Sequence, residues 1–143
     1  MKNEIIKNDL TVIETNNKRF TTLDLNDEEN ANKLYNSLQK CDILINDIVG
    51  EELEFSDVYI EARKIGETVN EETGETLDKE KFRTILYGTD GNTYVSSSYG
   101  VYNSIRSILA IFGNPTSEKP YKVKIAKRPT KDVTKSTLVL IKL

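Results

Sequence analysis

Between Leu53 and Ile65 the residues alternate, with Val58, Ile60 and Ala62 on one side of the chain and Tyr59, Glu61 and Arg63 on the other. A period of two over this length belongs to a long half-buried strand, so the chain must build a sheet with two unlike faces. Lys81 to Tyr87 reads as the next strand, and Asn92 to Ser96 as its hairpin partner across Asp90-Gly91. Both central positions of a two-residue type I′ turn need positive φ, which Asp-Gly supplies. Val101, Ile105, Ile108, Leu109 and Phe112 then recur at helical spacing. Gly113 offers the positive φ that ends such a helix, and Pro115 prevents its continuation. Tyr121 to Ile125 and Leu138 to Ile141 read as two further strands, with a turn at 128–132. The order is strand, strand, strand, helix, strand, strand. That is a mainly β fold with helices (α+β), and it matches the OB-fold, a five-stranded Greek-key barrel with a helix between strands 3 and 4.

Residues 1–50 read as an N-terminal extension with one helix, and 51–143 as the OB-like barrel, within a single domain spanning 1–143. The extension holds a short strand candidate at Thr11–Thr15 and a polar turn at Asn16–Arg19. Asp27 is placed to cap a helix over 28–40, with Glu28 and Glu29 in its first turn. Ile43–Ile45 suggests a short strand, and Gly50 breaks the chain. Residues 66–80 are acidic and poor in apolar residues, and read as a long exposed hairpin loop or flap. With the 128–136 loop, it occupies one of the two loop positions that flank the ligand face of an OB-fold.

If Asp90-Gly91 is a two-residue turn, Tyr87 faces Tyr94, and Arg83, Ile85, Tyr87, Tyr94 and Ser96 share one face. Flat rings on a sheet stack on nucleobases of any sequence, and Arg83 beside them suits a phosphate. The alternative is a cross-strand tyrosine pair that only stabilises the hairpin. A one-residue bulge in the turn would swap the faces and bring Phe82 outward. Tyr59 and Arg63 extend the same face onto the neighbouring strand. Tyr102 and Arg106, one turn apart on the helix, read as a local cation–π pair, and Cys41 as a small packed hydrophobe. The helical stripe from Val101 to Phe112 reads as core.

Charge divides along the chain. Residues 1–80 carry 9 Lys+Arg against 20 Asp+Glu, and residues 81–143 carry 11 against 3. Lys122, Lys124, Lys127, Arg128 and Lys131 lie in a basic stretch interrupted only by Asp132. Such a stretch suits a sugar–phosphate backbone. The plainer alternatives are a solvated strand edge, or two halves that neutralise each other in the fold.

The sequence contains no His and one Cys. This removes His-based acid–base pairs and triads, zinc clusters and any intrachain disulfide. No Gly-rich phosphate loop of the familiar spacings occurs. An enzyme is therefore not expected, nor a metal or cofactor. One thiol fits a reducing compartment, and no window approaches the roughly 18 apolar residues of a membrane span. The expected location is the cytoplasm, without membrane association.

On Phe82-Arg83-Thr84-Ile85-Leu86-Tyr87, the Asp90-Gly91 turn, Thr93 to Ser97, and the helix from Gly100 to Gly113, the chain resembles the single-stranded DNA-binding proteins of phages that infect Gram-positive bacteria. The resemblance covers roughly residues 50–143. It implies an OB-like fold and cooperative coating of single strands in phage DNA replication within the host cytoplasm. It also implies single-stranded DNA (or RNA) as ligand, with replication proteins and further copies of the chain as other partners. The chain ends Leu140-Ile141-Lys142-Leu143, unlike bacterial relatives with an acidic tail, which leaves the acidic 67–80 segment as the candidate for partner binding. The competing reading is a phage accessory module that binds another protein and no nucleic acid.

Overall fold

The alternating segment forms the longest strand of the protein. The computed structural model describes residues 17–69, 71–129 and 136–143. Its elements are β1 (Asn17–Thr21), α1 (Glu28–Gln39), β2 (Ile43–Leu44), a 3-10 turn (Ile45–Ile48), β3 (Glu52–Val69), β4 (Thr76–Gly88), β5 (Thr93–Ser96), α2 (Tyr99–Phe112), β6 (Tyr121–Pro129) and β7 (Ser136–Lys142). The strands form one seven-stranded sheet in the order β2-β5-β4-β3-β6-β7, with β1 also paired to β3. The run β5-β4-β3-β6-β7 has the neighbour order of an OB-like α+β fold. The N-terminal region is built into this sheet, since β1 and β2 both pair with its strands.

β3 shares one edge between two partners. Glu52 to Phe55 pair with β6, and Tyr59 to Arg63 pair with β1. A bulge between Phe55 and Asp57 separates the two stretches. An extra residue bends a strand and raises its twist, which lets one edge turn from β6 to β1. Residues 17–19, read from sequence as a turn, are therefore strand. The stretch 66–80, read as a loop, is mostly paired: Gly66, Glu67, Thr68 and Val69 lie opposite Lys79, Asp78, Leu77 and Thr76. Cross-strand hydrogen bonding overrode a polar composition that carried no apolar alternation. The strand candidate at 11–15 and the 130–135 part of the second loop lie outside the described residues.

The two faces of the sheet feed two cores. On one, Val58, Ile60, Leu86, Val123, Ile125 and Leu140 pack under Val101, Tyr102, Ile105 and Ile108 of α2. Strands from both ends of the sheet meet in this core, so the sheet curls around the helix. On the other face, Tyr59, Ile85 and Tyr87 are covered by Leu34 and Leu38 of α1 and by Leu23. Asp27 caps α1 as the sequence suggests, accepting from the Glu29 N–H at 2.9 Å. Cys41 packs, half-buried, against this second core and donates to the Ser37 carbonyl at 3.2 Å. Neither helix is long and apolar enough to cross a membrane.

α2 begins two residues before its apolar stripe, because Ser98 caps it by accepting from the Gly100 N–H at 3.1 Å. The stripe is also rotated. Tyr102 is buried, whereas Phe112 is 54% exposed. The helix lies along the edge of β7, where the Leu140 N–H donates to Ser104 Oγ at 3.1 Å. At Gly100 the approach is closest, and a Cβ there would collide with the Leu138 carbonyl oxygen. Gly100→Ala gains helix propensity of about 1 kcal/mol at most, but the clash is with backbone that cannot rotate away. A net loss of about 1–3 kcal/mol is expected, as for overpacked cores. Urea unfolding checks this, and an unchanged midpoint would contradict the close packing of α2 on β7.

Candidate functional site

The β4–β5 connection decides which side chains can form a site. The Gly91 N–H donates to the Gly88 carbonyl at 3.1 Å, and the Gly88 N–H to the Asn92 carbonyl at 2.8 Å. Gly91 has φ 89°. This is a three-residue loop, a turn followed by a positive-φ glycine that forms a bulge, and not the two-residue turn expected from Asp90-Gly91. Leu86 lies opposite Tyr94, and Tyr87 opposite Thr93. One extra residue thus puts Tyr87 and Tyr94 on opposite faces, and the predicted shared tyrosine face is corrected.

Both rings are buried. Tyr87 is 1% exposed, and its hydroxyl pairs with Ser37 Oγ at 2.6 Å under α1. Burial pushes its phenol up to about 12. Tyr94 folds back over Gly88 and donates to Asp90 Oδ2 at 2.5 Å. That bond holds the Asp90 carboxyl below its usual range and raises the Tyr94 phenol. Tyr59 is also buried, donating to Glu61 Oε1 at 3.0 Å. Burial first, then the Glu61 carboxylate, pushes it well above an ordinary tyrosine. None of the three presents a free ring to a ligand.

Arg63 and Arg83 are brought together as the sequence suggested, on the face shared with Tyr59. With Lys81 they line a pit of about 160 Å³ beside Ser97 and Val95. The Arg83 Nη1 donates to the Leu38 carbonyl at 3.3 Å, which anchors the guanidinium at the C-terminal end of α1. Glu61, opposite Arg83 on β4 and Arg19 on β1, is the one carboxylate among the described residues that line the pit.

The pairing of β4 with β5 stops at Thr84–Ser96, so among the described residues no strand pairs with the outer edge of Lys81–Arg83. Strand alternation sends Phe82 to the other side of that edge. There it meets Tyr99 and Tyr102 of α2, each at a ring-centroid distance of 4.9 Å. Tyr99 is 56% exposed. Arg106 lies 5.7 Å over the Tyr102 ring, and a groove of about 260 Å³ continues from Tyr102 past Phe20 to Lys18. Residue-level reading missed Lys81, left Tyr99 open just ahead of the helix, and made an outward Phe82 conditional on a turn bulge; the bulge is present, and Phe82 packs partly buried against the α2 core.

The basic stretch is divided. Lys122 and Lys124 are exposed, but they lie directly opposite Glu54 and Glu52 of β3. Lys127 and Arg128 project from the end of β6 that lies beyond β3, with Lys127 sharing a depression with Asn46 and Thr137. Lys131 lies outside the described residues. A family model described as Phage Single-stranded DNA-binding protein matches residues 13–141. No curated protein matches the chain, and no solved structure does.

The buried phenols make stability fall at alkaline pH. An unfolded tyrosine ionises near 10, while Tyr87 in the fold stays neutral to about 12. Its contribution is complete below pH 10 and is lost as pH rises toward 12. In Tyr87→Phe the Ser37 hydroxyl still donates to the Leu34 carbonyl, so the cost at pH 7 should be about 0.5–1.5 kcal/mol. Denaturant unfolding at pH 7, 10 and 11 should show a shallower alkaline decline in the variant. Parallel declines would contradict burial of this ring.

Proposed function

The chain belongs to the phage single-stranded DNA-binding proteins, and from that premise we propose that it takes its strand across the open edge of β4, around Lys81–Arg83. The observation that carries this reading is the alternation at that edge. Arg63, Lys81 and Arg83 line the pit on one side, and Phe82, which also borders the pit, packs its ring on Tyr99 and Tyr102 on the other. A single strand carries its charge along one side and its bases along the other. Phosphates would sit in the cationic pit, with the Ser97 hydroxyl as a neutral donor. Unstacked bases would reach the exposed ring of Tyr99 and, beyond it, the Phe20–Tyr102 groove, where Lys18 and Arg106 flank the entrance.

Such binding reads no sequence, since every base has a face that stacks and every nucleotide a phosphate. Lys127, Arg128 and Lys131 extend the phosphate track. Lys122 and Lys124 contribute less, because Glu54 and Glu52 oppose them. Tyr59, Tyr87 and Tyr94 support the site from within the two cores instead of stacking on bases. The protein would bind without chemistry, holding and protecting single strands while phage DNA is copied in the host cytoplasm.

Fluorescence titration with oligo-dT at several salt concentrations tests the division of labour. Tyr99→Ala should weaken binding by roughly 1–3 kcal/mol and leave the salt slope almost unchanged. Arg63→Ala with Lys81→Ala should weaken binding to all sequences alike and flatten the slope by about 1.4, at about 0.7 per phosphate contact. Both variants should keep the wild-type circular dichroism spectrum. A slope untouched by the double change would remove the pit from the phosphate path.

A duplex hides its base faces, so it should bind more weakly than oligo-dT of equal length. Equal affinity would show that charge alone is at work and that the aromatic side has no part.

A further inference from the structure

Beyond the Asn17–Arg63 pair, among the described residues, β3 and β4 pair only with each other out to Val69–Thr76. This two-stranded arm runs about 20 Å beyond that pair, taking six residues at about 3.3 Å each. Its tip is apolar and acidic together: Val69 is 63% exposed, and Glu71, Glu72 and Glu75 are exposed beside it.

At the other end of β3 the surface is complementary. Ile111, Phe112 and Ile141 are 73%, 54% and 38% exposed, and they border a groove of about 280 Å³ between α2 and β7. Its charged residues are cationic, Arg128 and Lys142. The Lys142 ammonium lies 4.6 Å over the Phe112 ring. Ile141 is level with Glu52 across β6, through Lys124. Ile141 is thus level with the opposite end of β3 from Val69, and the continuous pairing of β3 with β4 holds the tip to the line of the arm instead of letting it fold back to the groove of its own copy.

We propose that the arm tip of one copy docks in the α2–β7 groove of the next, Val69 against Ile111 and Phe112, with the arm's glutamates facing Lys142. The two surfaces differ, so the contact is heterologous and leaves a free arm and a free groove at the ends of any chain of copies. An open-ended array of this kind follows a linear polymer of any length. Coating of DNA by the array rests on the function proposed above, but the contact itself does not.

Disulfide trapping tests the contact in the full-length chain with Cys41→Ser. Val69→Cys and Ile111→Cys proteins, mixed at high concentration without DNA and again on long oligo-dT, should give the mixed dimer in at least about fivefold excess over either same-site dimer, because docking raises the local thiol concentration. Val69–Val69 dimers in equal yield, or no mixed dimer in either condition, would overturn the proposal. Charge reversal gives a second readout. Glu71→Lys with Glu75→Lys should lower the ratio of long- to short-oligonucleotide affinity by about threefold to tenfold, the scale of a few exposed ion pairs. Lys142→Glu should do the same, and the combined protein should recover most of the ratio. Short-oligonucleotide affinity should stay unchanged throughout. A ratio insensitive to all three would overturn the contact, whereas loss of short-oligonucleotide binding in the unaltered protein would instead overturn the proposed site.

Discussion

The register of the β4–β5 hairpin governs the rest of the structure, and it is held by one glycine. Gly91 adopts positive φ and lets the loop take three residues. Because side chains alternate with period two, one residue more or fewer reverses every side chain of the returning strand. With this loop, Val95 joins the core under α1, and Tyr94 joins the core under α2. Tyr94 then closes over the turn itself, bonded to Asp90 and lying against Gly88, where a Cβ would come within 2.8 Å of its ring. Turn and ring hold each other in place.

α1 depends on the same register. Its apolar stripe is short, with Leu34 and Leu38 as the principal contacts, and isolated helices of this length are marginal in water. It is retained because β3 and β4 offer Tyr59, Ile85 and Tyr87 on one face, and because the Tyr87 hydroxyl finds Ser37. In covering that face, α1 buries the rings an uncovered OB-like sheet would present. It stops short of Lys81 and Arg63, and the Arg83–Leu38 hydrogen bond marks its boundary. The candidate site begins where the helix ends.

The uneven charge of the chain is resolved in two ways. Part of it cancels locally, since Glu52 and Glu54 meet Lys124 and Lys122 in register. The remainder is separated. Acidic residues gather at the tip of the β3–β4 arm, and cations line the pit at its base and the end of β6. Neutralisation within the fold, one of the alternatives raised by composition, therefore holds for the β3–β6 pairs and not for the whole sheet.

Local chemistry was legible residue by residue. The alternation at 58–63, the Asp27 cap, the stop at Gly113 and the order of elements all depend on neighbours within a few positions, and each is found in the structure. The missing histidines and the single thiol set aside whole classes of chemistry without reference to any fold. Pairing across long sequence separations was not legible. A polar segment such as 66–69 becomes strand because 76–79 lies opposite it, and Asn17–Thr21 because β3 has a free edge; neither carries an apolar alternation of its own. The site divided along the same line. Arg63 and Arg83 were visible because the alternation within β3 and within β4 gives each strand a core side and an outer side without reference to the β4–β5 turn. Tyr87 and Tyr94 were misplaced, because Asp-Gly is compatible with loops of two or three residues whose energies differ little. Which loop forms is decided by what the two resulting faces can bury, and that is a property of both helices and the whole sheet at once.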